Sequence, residues 1–138
     1  MIKEPIMGFD VTRDDHAFAW QASVEHLRGS IATLHGTHEE VDILTMLHQG
    51  VLHLWQGVKA SGITEIQVYP RKSVCNVFLA GGKGGLSEIL EWVKRGGLLE
   101  KWAFDRWRCD WISYTGRHGW AGLIECEPLG EVAMRMRP

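Results

Sequence analysis

The chain is predicted to form an α/β (α+β) domain with a mixed, mainly antiparallel sheet flanked by helices, and three observations point there. Three apolar, alternating segments follow one another between residues 51 and 80, separated by short turn-forming stretches at SG (61–62) and PRKS (70–73). Helical spacing of apolar residues stands on both sides of that run. The length of 138 residues suits one domain, which at this size buries roughly 68% of the surface of the unfolded chain.

Residues 1–19 carry no periodicity and contain Pro5, Gly8 and the pair Asp14-Asp15, so they are expected to be an extended arm ahead of a domain spanning 20–138. In WQASVEHLRGSIATL (20–34), Val24, Leu27, Ile31 and Leu34 recur at helical spacing, and His35-Gly36 ends the pattern. THEE (37–40) fits a capping box, with Thr37 as the cap and Glu40 reaching back. A short helix through Val41, Leu44, Leu47 and His48 follows and stops at Gly50.

From Val51 the period is two, which predicts strands over 51–57 and 63–69. Pro70 closes the second strand because it has no N–H for a ladder. The third strand, 74–80, is almost wholly apolar, as expected of a central strand covered on both faces. LSEILEWVKR (86–95) is a helix, and the helical period resumes over 98–108; Gly96-Gly97 between them is either a kink or a loop. Residues 110–115 read as a strand, 116–119 as a turn, 120–126 as a short helix, and 131–137 as a terminal edge strand.

Composition excludes several function classes. A formal charge of −2 offers no basic surface for nucleic acid phosphates. No apolar run approaches the ~20 residues of a membrane helix, and charges occupy the positions where a signal peptide needs its apolar core. Cys75, Cys109 and Cys126 are an odd set without a CxxC, expected to be free thiols in a reducing compartment. The seven histidines show no metal-ligand spacing, so no metal is expected. Of seven tryptophans, Trp92, Trp102, Trp107, Trp111 and Trp120 crowd the last third. They form either an aromatic core or a surface for a protein partner.

Three groups could carry chemistry. The loop Gly81-Gly82-Lys83-Gly84-Gly85 leads from a buried strand into a helix. Glycines there let backbone N–H groups converge on a phosphate at the helix N-terminus, with Lys83 adding a mobile cation. The other reading is a connection that needs only glycine's backbone freedom. The unit Tyr114-Thr115-Gly116-Arg117-His118-Gly119, followed by Trp120, offers an acid, an anion clamp and a base, or simply a turn anchored by Trp120. Glu65 is the one carboxylate inside the second strand's alternation. Buried, it could act as a base; on a solvated face it would not.

The motifs GITEIQVYPRK (62–72), VFLAGG (77–82) and GRHGW (116–120) with its following helix give the chain, from about residue 37 onward, a resemblance to the GNAT-like (acetyltransferase-fold) proteins encoded among tailed-bacteriophage structural genes. The resemblance implies a single GNAT-like domain in which the strands at 74–80 and 111–115 splay apart. Acetyl-CoA would enter that split if the chain is active, and its pyrophosphate would rest on Gly82, Lys83, Gly84 and Gly85. Glu65 and Tyr114 would be the catalytic groups, and Arg117 and Trp120 would meet a partner. Leu79 stands where the family carries Arg or Gln, and WAGLIEC (120–126) lacks the family's Tyr. These departures favour a virion-associated structural or accessory protein that contacts other phage structural proteins or copies of itself. It would be located in the virion, and in the host cytoplasm during assembly. The alternative is an acyl-CoA-dependent N-acetyltransferase.

Overall fold

The computed structural model describes residues 1–115. Helices α1 (Asp14–Ala32) and α2 (Glu40–His48) come first, then strands β1 (Leu52–Gln56), β2 (Ser61–Val68) and β3 (Ser73–Gly81). Helix α3 (Leu86–Val93) and a short α4 (Leu98–Glu100) follow, α4 widening into a π-helical turn (Lys101–Arg106) ahead of strand β4 (Trp111–Tyr114). The fold is mixed α+β, with a four-stranded mixed sheet in the order β1-β2-β3-β4. β1, β2 and β3 pair antiparallel, while β4 joins β3 in parallel. The first two connections are too short for a crossover, so they must be hairpins; the third carries α3 and α4 and can cross over.

The arm is shorter than the sequence suggests, because α1 begins at Asp14 rather than near Trp20. Its buried stripe starts with His16 and continues through Ala19, Trp20, Ser23, Val24, Leu27 and Ile31. A histidine opening the stripe and a serine inside it are invisible to a hydrophobic pattern. Asp14 and Asp15 lie in the first turn, where acidic groups complement the helix dipole. Residues 1–13 run beside β1 instead of projecting freely. Lys3 N–H donates to the Gln56 carbonyl at 2.9 Å and Ile6 N–H to that of Leu54 at 3.0 Å. Ile2 and Phe9 are buried. The arm thereby covers a sheet edge that would otherwise present unpaired backbone.

The cap of α2 also differs from expectation. Asp42 takes the Glu39 N–H at 2.8 Å, so the reciprocal box joins Glu39 and Asp42. Thr37 is occupied in closing the end of α1, donating to the Leu34 carbonyl at 2.8 Å, and Glu40 is drawn to Arg28 at 2.9 Å. Between α3 and α4, Gly96 has φ of 71° and Lys94 is extended, which makes the glycine pair a loop between two helices.

The sheet separates two cores. Leu27, Ile43, Leu47, Leu54 and Ile63 fill the side under α1 and α2. Trp55, Cys75, Trp92, Leu99 and Trp102 fill the side under α3 and α4. Four tryptophans (20, 55, 92 and 102) are therefore core, while Trp107 and Trp111 remain 37% and 42% exposed. Trp55 is fully buried and donates its indole N–H to Thr64 Oγ1 at 2.9 Å. Gly62 has no side chain because the Trp92 ring occupies that space: a Cβ there would stand 2.5 Å from the indole. No described helix is long and apolar enough to cross a membrane.

Candidate functional site

The parallel pair runs to the last of the described residues. β3 and β4 are in register from Val74 with Trp111 to Val77 with Tyr114, and Thr115 N–H still reaches the Val77 carbonyl at 3.1 Å. β3 then runs on to Gly81. Just past Val77, β3 carries a bulge against β2, since Ile63 pairs with Leu79 and Thr64 with Val77, leaving Phe78 extra. A bulge bends its strand and sharpens the local twist. Phe78 and Leu79 consequently both pack into the core under α1 and α2.

A cleft of about 880 Å³ opens beside β3 and the end of β4 and against the C-terminal half of α1. Tyr114 and Thr115 border it at one end, Gly82 and Lys83 at the other, with Glu25 and His26 from α1 along its side. Ser30 ties α1 to β3 by donating to the Ala80 carbonyl at 2.7 Å. At Gly81 the two elements come so close that a Cβ would stand 3.0 Å from the His26 carbonyl. Below the cleft lie the fully buried Ser23 and Ser61. Ser61 Oγ donates to Ser23 Oγ at 3.1 Å and lies 2.8 Å from His26 Nδ1. Ser23, Ser61 and His26 Nδ1 thus form one hydrogen-bonded chain that holds the imidazole at the wall of the cleft.

The glycine loop is more than a free cradle. A Cβ at Gly82 would fall on the Lys59 carbonyl oxygen, and one at Gly85 would stand 2.7 Å from the same atom. Both glycines let the loop lie against the β1–β2 turn, which Glu88 of α3 holds through the Lys59 and Ala60 N–H groups at 3.3–3.4 Å. Gly85 N–H is already given to the Gly82 carbonyl at 3.1 Å. Gly84 differs: it has φ of +70° and open space around its missing side chain. Gly82 and Lys83 thus line the cleft, while Gly84 and Gly85 shape the loop behind it.

Glu65 sits one strand away and half-buried. Its Oε1 accepts from Gln67 Nε2 at 2.9 Å and from Asn76 Nδ2 at 3.0 Å. Asn76 Oδ1 in turn accepts from Ser113 Oγ at 2.8 Å and Thr115 Oγ1 at 3.2 Å. A polar row therefore crosses β2, β3 and β4 and meets the cleft at Thr115. Asn76 was legible as the one polar residue in the apolar run VCNVFLA. His26 and Ser61 carried no such signal, because only the packing of α1 on β2 brings them together. Arg117 and Trp120 lie outside the described residues. On the far face, the His53 ring, 7% exposed, stacks edge-on to Trp102 at 5.1 Å, with no partner for its Nδ1 among the described residues. Burial, with Arg106 adding, lowers its pKa. No protein-family model, no curated protein and no solved structure matches the chain.

Proposed function

We propose that this is a GNAT-like domain that binds an acyl-CoA-type ligand in the cleft and serves acyl transfer to an amine. The observation that carries the reading is the cleft beside β3 and the end of the parallel strand β4, with a glycine loop and a lysine at its far end. Its volume falls within the ~300–1,000 Å³ of ordinary cofactor sites. The residues present fit such a ligand with one departure. Leu79 is buried in the apolar core, so the anion-holding group would be the exposed Lys83, next to Gly82 in the cleft wall. Bound there, an acyl thioester would supply an activated acyl group.

The chain's own residues would handle protons and position. Glu65 has Oε1 fixed by two amide donors, which orients the carboxylate as a proton acceptor for an incoming ammonium. Tyr114, at the end of β4, borders the cleft while its ring packs with the core under α3 and α4. Acetyl-CoA at about 100 times its dissociation constant should stabilise the protein by ~2.7 kcal/mol, a rise of about 10 °C in Tm for a domain of this size. Unchanged melting with millimolar acetyl-CoA would overturn the proposal.

A second reading is favoured by Phe104, Trp107 and Trp111, which are 37–42% exposed where the π-helical turn leads into β4. Aromatics of this kind are enriched at protein interfaces. They suit a virion-associated protein acting through contacts with other phage structural proteins. Recovery of the chain in purified, washed particles would support that reading, and its absence from them would count against it.

A further inference from the structure

We infer that Asn76 is a positioning residue of the proposed transfer site, holding Glu65 so that one carboxylate oxygen, Oε2, is left to the acceptor amine. The inference rests on the acyl-transfer reading above. Asn76 is 6% exposed and stands between two core residues of β3, Cys75 and Val77. A buried amide is costly unless its hydrogen bonds are made. Glu65 lies opposite Asn76 in the β2–β3 ladder, and Ser113 lies opposite Asn76 in the β3–β4 ladder. An ionised carboxylate only accepts. Asn76 therefore turns Nδ2 to Glu65 Oε1 at 3.0 Å, and its Oδ1 accepts from Ser113 Oγ at 2.8 Å and Thr115 Oγ1 at 3.2 Å.

A second chain of donors arrives from the other side. The Tyr69 hydroxyl donates to Gln67 Oε1 at 3.2 Å, and Gln67 Nε2 donates to Glu65 Oε1 at 2.9 Å. Both chains converge on the same oxygen, and Oε2 has no hydrogen-bond partner among the described residues. A neutral side-chain amide in place of Glu65 could accept the same two bonds through its carbonyl oxygen, so the packing does not call for a charge there. The charge is explained by a cationic guest at Oε2, and Thr115 carries the row to the edge of the cleft. Of the three protons on an acceptor ammonium, one goes to Glu65 and on to solvent, one to the departing thiolate, and one stays on nitrogen. The new N–C bond forms as the acyl C–S bond breaks. Asn76 touches none of the reacting atoms; it keeps the carboxylate from turning its bare oxygen away.

The test is turnover of the intact protein with acetyl-CoA and three primary amines, butylamine, spermidine and lysine methyl ester, read as free thiol. Calorimetry follows acetyl-CoA binding and thermal melts follow stability. N76D keeps the side-chain size and still accepts from Ser113 and Thr115. It cannot donate to Glu65, and it sets a second negative charge against Oε1. It should lower kcat about 100-fold, the scale of a misplaced catalytic group, lower Tm, and leave the Kd of acetyl-CoA unchanged. E65Q/N76D restores a donor–acceptor pair with its polarity reversed, so Tm should return towards that of the parent. Its kcat should stay as low as that of E65Q alone and fall no further, because Asn76 acts only through Glu65. Parent-like kcat in N76D, or recovery of kcat together with Tm in E65Q/N76D, would reduce Asn76 to a structural residue and overturn the inference. If N76D fails to fold, the comparison of E65Q/N76D with E65Q decides, and a slower double variant overturns it. Binding of acetyl-CoA without thiol release from any amine would overturn the role of Asn76 and leave cofactor binding standing. No binding of acetyl-CoA would overturn both.

Discussion

Two glycines of one loop should respond very differently to the same methyl group. At Gly82 a Cβ would land on the Lys59 carbonyl oxygen, and the backbone φ is +152°. Alanine there must displace either the loop or the β1–β2 turn that Glu88 holds by its backbone N–H groups. Overpacking of this kind costs about 1–3 kcal/mol, and forcing a side chain into that backbone region adds about 1–3 kcal/mol. At Gly84, φ is +70° and nothing lies within 4 Å, so only the left-handed conformation opposes alanine, at about 1–2 kcal/mol. Gly82→Ala should therefore be the more damaging by about 1–4 kcal/mol. Urea unfolding followed by tryptophan fluorescence would measure both, with the slope checked for constancy so that midpoints convert to free energies. Equal losses for the two variants would refute the argument that Gly82 is required by close approach to Lys59. Greater damage at Gly84 would refute it as well.

Other perturbations follow from the same packing. His53 is held neutral by burial, so its folded pKa lies below the ordinary value of 6.5. The unfolded chain then binds the extra proton: stability is complete above about pH 6.5 and falls as pH drops below it. Melts between pH 5 and 6.5 should show this decline in the parent and a flatter profile in His53→Leu; equal slopes would exclude His53 as the cause. Thr64→Val removes the acceptor of the Trp55 indole N–H while preserving shape, at a cost of about 1–3 kcal/mol, and a Tm within 1 °C of the parent would contradict it. Burial, aided by the neighbouring Cys109 and Glu65, pushes the Cys75 thiol up to about 12. Iodoacetamide at pH 8 should then leave Cys75 unmodified in the native protein and alkylate it in denaturant, as read by mass spectrometry. Gly84→Asp should weaken binding of acetyl-CoA by placing a carboxylate next to Lys83, without a steric clash because the position is open; unchanged affinity would place the ligand elsewhere.

The strands were legible because their signals are local. Alternation over Val51–Gln56 and Ile63–Tyr69, a proline that stops the second strand, and an all-apolar third strand reproduce β1, β2 and β3 to within two residues at each end. The start of α1 was not legible, since its first buried positions are His16 and Ala19, which carry little hydrophobic signal. The α2 cap was misassigned because THEE and EEVD overlap, and only tertiary contacts of Thr37 and Glu40 decide between them. Among the site residues, Lys83, Gly82 and Tyr114 were readable as polar or glycine positions at strand ends. His26 and Ser61, far apart in sequence, were not.

Among the described residues, the sequence by itself determined the three successive strands, their hairpin order and the existence of a glycine-rich exit from a buried strand, because periodicity and turn chemistry act within a few residues of the chain. Tertiary structure alone decided which strand β4 joins and in which direction, and that the arm seals the β1 edge. It also decided that two of the loop's glycines serve close packing on Lys59 and that a histidine on α1 stands over the same loop. Each of these depends on contacts between segments separated by tens of residues, whose energies come from burial and fit that no local pattern encodes.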